Sequence, residues 1–129
     1  MPYRFNKHYS IGEARALLPQ VRGWLQQLLQ KRTELEGQEE QLQVSRPAGG
    51  DLGGADVDGW VRTLAAMQEL LLQFYRREIQ IKDLDRGLID FPAILEDREV
   101  FLCWELAEDD IEYWHDLDAG YAGRVPLEE

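Results

Sequence analysis

The sequence predicts an α+β fold: a long antiparallel helical hairpin packed against a small three- to four-stranded antiparallel sheet. Three observations carry this. Apolar residues recur every three or four positions from Ile11 to Leu42 and again from Val57 to Tyr75; a glycine-rich stretch, 45–59, separates the two runs; and after Ile79 the apolar period falls to about two. All 129 residues are expected to form one domain, a length that supports a single core.

The first helix is expected over 11–43. Ser10 stands three residues before Glu13, the spacing at which each side chain satisfies a backbone N–H left free at a helix start. Pro19 has no N–H to give to residue 15, so it either starts a second helix or kinks this one, and a kink near Leu18 is the favoured reading. "SRPAGGDLGGADVDG" at 45–59 holds five glycines and almost no large apolar side chain, and reads as a linker. A second helix is expected over 57–78, carried by Val57, Trp60, Val61, Leu64, Met67, Leu71, Phe74 and Tyr75.

A β-meander is expected over 79–118, with a C-terminal tail at 119–129. "IQIKDLD", "GLIDFPAIL", "EVFLCWEL" and "DIEYWHDL" read as its strands, cut apart by Gly87, Pro92 and the turn at 96–98. If "AEDD" is a tight turn, it pairs Leu106 with Ile111, Trp104 with Tyr113 and Leu102 with His115, so that His115 points toward the helices. Glu105, Glu112, Trp114, Asp116 and, beside Cys103, Asp90 then form an acidic outer face. A helical reading of "EDDIEYWHDL" also fits, because three acids suit a helix start.

The net charge is −11, unevenly spread. Residues 1–32 carry six Lys/Arg and one acid, and residues 83–118 carry thirteen acids and two Arg. An acidic half repels nucleic acid and anionic membranes, so neither is expected as a ligand; a basic protein partner or self-association suits the asymmetry. The acidic stretch also reads as solvated surface. No apolar run approaches the ~20 residues of a membrane span and the N-terminus has no apolar signal core, so a soluble cytoplasmic protein is expected. The single cysteine, Cys103, lies in an apolar run and is expected to be buried, with no catalytic role.

Candidates for chemistry cluster near the C-terminus. "DLDRG" at 83–87 and "DLDAG" at 116–120 echo each other, and residues two apart on a strand share a face, so Asp83 with Asp85 and Asp116 with Asp118 would present paired carboxylates to a cation. A calcium loop needs further oxygen ligands that neither echo supplies, and Asp as a turn former explains both equally well. His115 and Asp118 add metal-ligand types, making Asp83, Asp85, His115 and Asp118 the weak metal candidates, although no paired-histidine spacing exists and the other histidine is His8. With only Ser10 and Ser45 present, a serine triad is ruled out. A structural His115, its ring buried and bonded to a carbonyl or carboxylate, is the favoured reading. Arg124, set off by Gly120 and Gly123, would reach back to Asp116, Asp118 or Asp90, or hold an anion.

Four motifs carry a resemblance: E-A-x-x-L-L-P at 13–19, G-L-I-D-F-P at 87–92, L-C-W at 102–104 and W-H-x-x-D-x-G-Y-x-G-R at 114–124. With them the chain resembles an uncharacterised bacterial family, domain of unknown function 2203, at both ends and not across the glycine-rich stretch. Where that family commonly carries a glycine before the acidic turn, this chain has Ala107. The resemblance implies a soluble bacterial protein of the same shape and brings no activity or cofactor.

The expectation is a non-enzymatic interaction module with an acidic sheet face that forms a homo-oligomer, most simply a dimer, through leftover apolar helix surface. The alternative is a small-ligand or metal-dependent enzyme using His115, Asp118, Arg124, Asp90 and Glu105 around a pocket rimmed by Trp104 and Trp114. No cofactor is expected.

Overall fold

The computed structural model describes residues 2–45 and 54–128. Helix α1 runs Ile11–Ser45 and α2 Ala55–Arg76; strands β1 Gln80–Asp83, β2 Leu88–Leu95, β3 Arg98–Trp104, β4 Tyr113–Asp116 and β5 Val125–Pro126 follow, with a short 3-10 turn at Tyr121–Gly123. The sheet is an antiparallel meander in the order β1-β2-β3-β4-β5, so the α+β expectation holds with five strands rather than three or four. The additional strand, β5, lies within the expected tail and adds to the edge of β4.

The capping box forms as expected: Ser10 N–H donates to Glu13 at 2.9 Å, and Glu13 N–H donates to Ser10 Oγ at 3.0 Å. α1 continues through Pro19, which therefore does not begin a second helix. α2 starts at Ala55, earlier than expected, with Asp56 and Asp58 in its positively polarised first turn. Residues 55–59 are thus helical rather than linker; 46–53 of the expected linker lie outside the described residues. The helices run antiparallel: Trp60 meets Glu39, and Phe74 packs on Trp24 with ring centroids 5.5 Å apart. Ala14, Leu18, Val21, Leu25 and Leu28 of α1 form the core with Ile89, Phe91, Ala93, Val100, Leu102 and Trp104 of the inner sheet face. Among the described residues, no helix is long and apolar enough to cross a membrane.

The expected pairing of β3 with β4 is displaced by one residue. His115 pairs with Phe101, Trp114 with Leu102 and Tyr113 with Cys103. The cause is the connection, which is a wide loop at 105–112 and not a tight turn. Ile111 is drawn fully into the core, and the guanidinium groups of Arg15 and Arg22 donate to the Ile111, Leu106 and Glu108 carbonyls at 2.7–3.2 Å. A one-residue slip moves every side chain of a strand to the other face. His115 therefore points away from the helices and Trp114 packs toward the core, the reverse of the expectation. Ala107 keeps a negative φ, so this loop needs no glycine there.

The outer face is not an open acidic surface. Asp90 is buried, and the remaining acids expected there include Glu105, paired with Arg86, and Asp116, paired with Arg98. An N-terminal arm crosses this face, with Phe5 packed on Phe101 at 5.4 Å. Pro92 sits beyond the end of β1, where its missing N–H leaves no ladder bond unmade, and its carbonyl accepts from Tyr9 N–H at 2.8 Å.

Candidate functional site

β2, β3 and β4 bring Asp90, Cys103 and His115 together on the outer sheet face. Asp90 pairs across the ladder with Cys103, and His115 arrives from β4 because of the register described above. All three are buried, with relative exposures of 2%, 0% and 2%, and one ligand-type atom from each lies within 4.8 Å of the others. Among the described residues this is the one such group of three.

The hydrogen bonds fix the proton on one ring nitrogen. His115 Nδ1 lies 2.7 Å from the Asp116 carbonyl oxygen, which can only accept, so Nδ1 carries a hydrogen. His115 Nε2 lies 3.0 Å from Asp90 Oδ2, and that contact is attractive only with a proton between the two atoms. The pair is either imidazolium with carboxylate or imidazole with carboxylic acid, one proton in both cases. Asp90 Oδ1, equally buried, has no hydrogen-bond partner. Burial pushes the Asp90 carboxyl above its ordinary value, and the nearby His115, Cys103 and Lys82 offset this only in part.

Cys103 is no nucleophile in this arrangement. Both ring nitrogens of His115 are engaged elsewhere, so no imidazole is free to deprotonate the sulfur, and the carboxylate beside it, Asp90, raises the thiol rather than activating it. Burial pushes the thiol up to about 12, the Asp90 charge adds to the rise, and Arg124 counters it weakly. Arg124 Nη1 lies 3.9 Å from Cys103 Sγ.

A pocket of 240 Å³ opens beside this group, lined by Lys82, Leu88, Leu117, Asp118, Gly120 and Tyr121 together with Asp90, Cys103 and His115. Larger hollows of 440 and 710 Å³ lie elsewhere, and no buried polar side chain lines either of them.

The other candidates disperse. Asp118 stands on the pocket rim, its side chain 88% exposed and 3.2 Å from Arg4. Arg124 does not reach Asp116, Asp118 or Asp90. It holds Glu108 in a two-pronged pair at 2.8 and 3.1 Å and lies 3.9 Å from the Tyr113 ring centroid and 4.4 Å from that of Tyr121, which leaves its guanidinium committed. Asp83 accepts from the Arg86 N–H within a turn and Asp85 pairs with Arg32, so the two do not form a shared cation site. Glu105 is tied to Arg86, and Trp104 and Trp114 lie on the helix side, away from the pocket. Sequence reasoning missed Cys103 as a member of the group, although the reading of Asp90 beside it pointed there.

The described residues thus form a small α+β protein, a helical hairpin on a five-stranded meander, with a buried carboxylate–imidazole–thiol group on the sheet face turned away from the helices. The chain belongs to an uncharacterised conserved protein family, DUF2203, whose sequence pattern matches residues 7–127. No curated protein and no solved structure matches it.

Proposed function

We propose that the protein binds a small polar ligand in the pocket over Asp90 and His115, one that presents a hydrogen-bond donor or a positive centre to Asp90 Oδ1. The unpartnered buried oxygen beside a cavity carries this reading, because a buried acceptor without a partner costs about 1–3 kcal/mol that a ligand would recover. The pocket volume suits a compact molecule or ion rather than a nucleotide-sized one. Binding, and not nucleophilic catalysis, fits a cysteine whose burial holds its thiol protonated. The test is a thermal-shift and calorimetric panel of small ammonium, guanidinium and hydroxyl compounds and metal ions, run on the wild type and Asp90→Asn. A ligand at a hundredfold its Kd adds about 2.7 kcal/mol, a shift of several degrees, which Asp90→Asn should abolish. No shift with any member of the panel would overturn the reading.

A second reading, self-association, has its own support. On α2, Val57, Val61, Leu64, Gln68, Leu71 and Tyr75 alternate steps of four and three, the spacing of a coiled-coil seam. This seam runs beside the Trp60, Met67, Leu70 and Phe74 row, and Val61, Leu71 and Tyr75 remain 51%, 44% and 78% exposed. A second copy of α2 laid along it makes a homodimer. Light scattering after size exclusion should give a dimer that Leu71→Glu with Tyr75→Glu converts to monomer; a wild type that stays monomeric at every concentration removes this reading.

A further inference from the structure

The geometry points to a thiophilic divalent cation, of the zinc or cobalt(II) kind, as the ligand of this site, held by Asp90, Cys103 and His115. The inference rests on the small-ligand reading above and narrows it to one chemistry.

The donor set is a carboxylate oxygen, a sulfur and an imidazole nitrogen, the mixture that borderline-soft divalent metals prefer over calcium or magnesium. Ligand atoms 2.0–2.3 Å from a shared ion stand about 3.3–3.8 Å from one another. Here Nε2 and Oδ2 are 3.0 Å apart and all three ligand atoms fall within 4.8 Å, so loading requires movements of about an ångström.

His115 is already arranged as a ligand. Its Nδ1–H is fixed on the Asp116 carbonyl, which turns Nε2 toward Asp90 and the cluster. Histidines that bind metals characteristically anchor their other nitrogen in this way. Asp90 Oδ1 supplies the independent sign of a missing group: it is buried, accepts no hydrogen bond, and belongs to a residue lining the pocket. Arg124, 3.9 Å from Sγ, can donate to a thiolate, and its Glu108 and tyrosine contacts hold it there.

The charge balance closes. On loading, the Cys103 S–H proton and the proton between Nε2 and Oδ2 both leave to solvent, two charges out for two in. No redox partner is needed. Lys82, Asp118 and Tyr121 line the same pocket as the three ligand residues.

The test titrates chelator-treated protein with cobalt(II) and follows absorbance. We expect one equivalent bound, a thiolate-to-cobalt charge-transfer band in the near ultraviolet, and displacement by zinc. Cys103→Ser, which is close in size and preserves the buried site, should lose the band, and Asp90→Asn should weaken binding at least tenfold; circular dichroism confirms that both variants are folded. A wild type with no charge-transfer band, or cobalt binding unchanged in both variants, overturns the inference. Protein that takes organic ligands of the panel but no cobalt defeats the metal alone; protein that takes neither defeats both readings.

Discussion

His8 and Glu99 meet through Nε2 and Oε2 at 2.7 Å, and the same Glu99 carboxylate also accepts the backbone N–H groups of Arg4 and Phe5 at 2.8 and 2.9 Å. One side chain on β3 thus ties the N-terminal arm across the outer sheet face. Glu78 does the same from the end of α2, accepting from the N–H groups of Asn6 and Lys7.

Glu99→Gln should therefore destabilise the protein by about 2 kcal/mol at pH 7, because a charged acceptor of several hydrogen bonds is lost. Burial alone would raise the Glu99 carboxyl, but the bonds from His8, Arg4 and Phe5 outweigh it and hold it below its ordinary value. Its contribution is complete above the ordinary carboxylate pKa and is lost as pH falls through the lowered one. Urea midpoints of wild type and variant should differ at pH 7 and draw together as pH falls below the ordinary carboxylate range; a constant gap would refute this assignment.

At the alkaline end the sign reverses. Burial pushes Cys103 from its ordinary 9.0 up to about 12, and Tyr9, whose hydroxyl donates to the Arg77 carbonyl, from 10.0 up to about 12. Both raised values mean that the unfolded chain ionises first, so stability is intact below pH 9 and is lost on the way to 12. Cys103→Ala removes one of the two titrations. The stability gap between wild type and Cys103→Ala should shrink as pH climbs above 9, measured by denaturant melts; a gap that widens would count against a neutral buried thiol.

Asp90 and His115 share one proton, so removing either leaves the other buried without its partner. Asp90→Leu and His115→Leu should each cost about 3–5 kcal/mol, and the double variant clearly less than their sum. A double-mutant cycle reads the coupling directly. Additive losses would mean that the pair is not coupled.

The hairpin between β2 and β3 turns on Glu96 and Asp97, at φ 49° and 64°. A two-residue turn with both φ positive favours Asn-Gly, because other side chains crowd the backbone there. Replacing Glu96→Asn together with Asp97→Gly should raise stability by about 1 kcal/mol, seen as a higher Tm with the binding site untouched.

What the sequence disclosed was what short-range chemistry decides. The Ser10–Glu13 cap, the 3.6 period of both helices and the change of period after Ile79 depend on neighbours in the chain, and each appears where expected. The facing of β4 depends on contacts far along the chain: Arg15 and Arg22 of α1 hold the loop carbonyls, and Ile111 fills the core. No local pattern carries that information, and the displacement by one residue reassigned His115 and Trp114 together. Asp90 and His115 were legible as candidates; Cys103 as their neighbour required the true register. The commitment of Arg124 to Glu108 was likewise hidden, because Glu108 sits in that same loop.

The meander joins each strand to the one before it, so sheet pairing needs only short loop closures, whereas the Tyr9–Pro92 and Phe5–Glu99 bonds span most of the chain. The arm cannot dock until its anchor Glu99, more than ninety residues further along the chain, is in place. Refolding should accordingly show the sheet forming before the arm, and until the arm closes, Phe101 and the buried polar group behind it stand open to water.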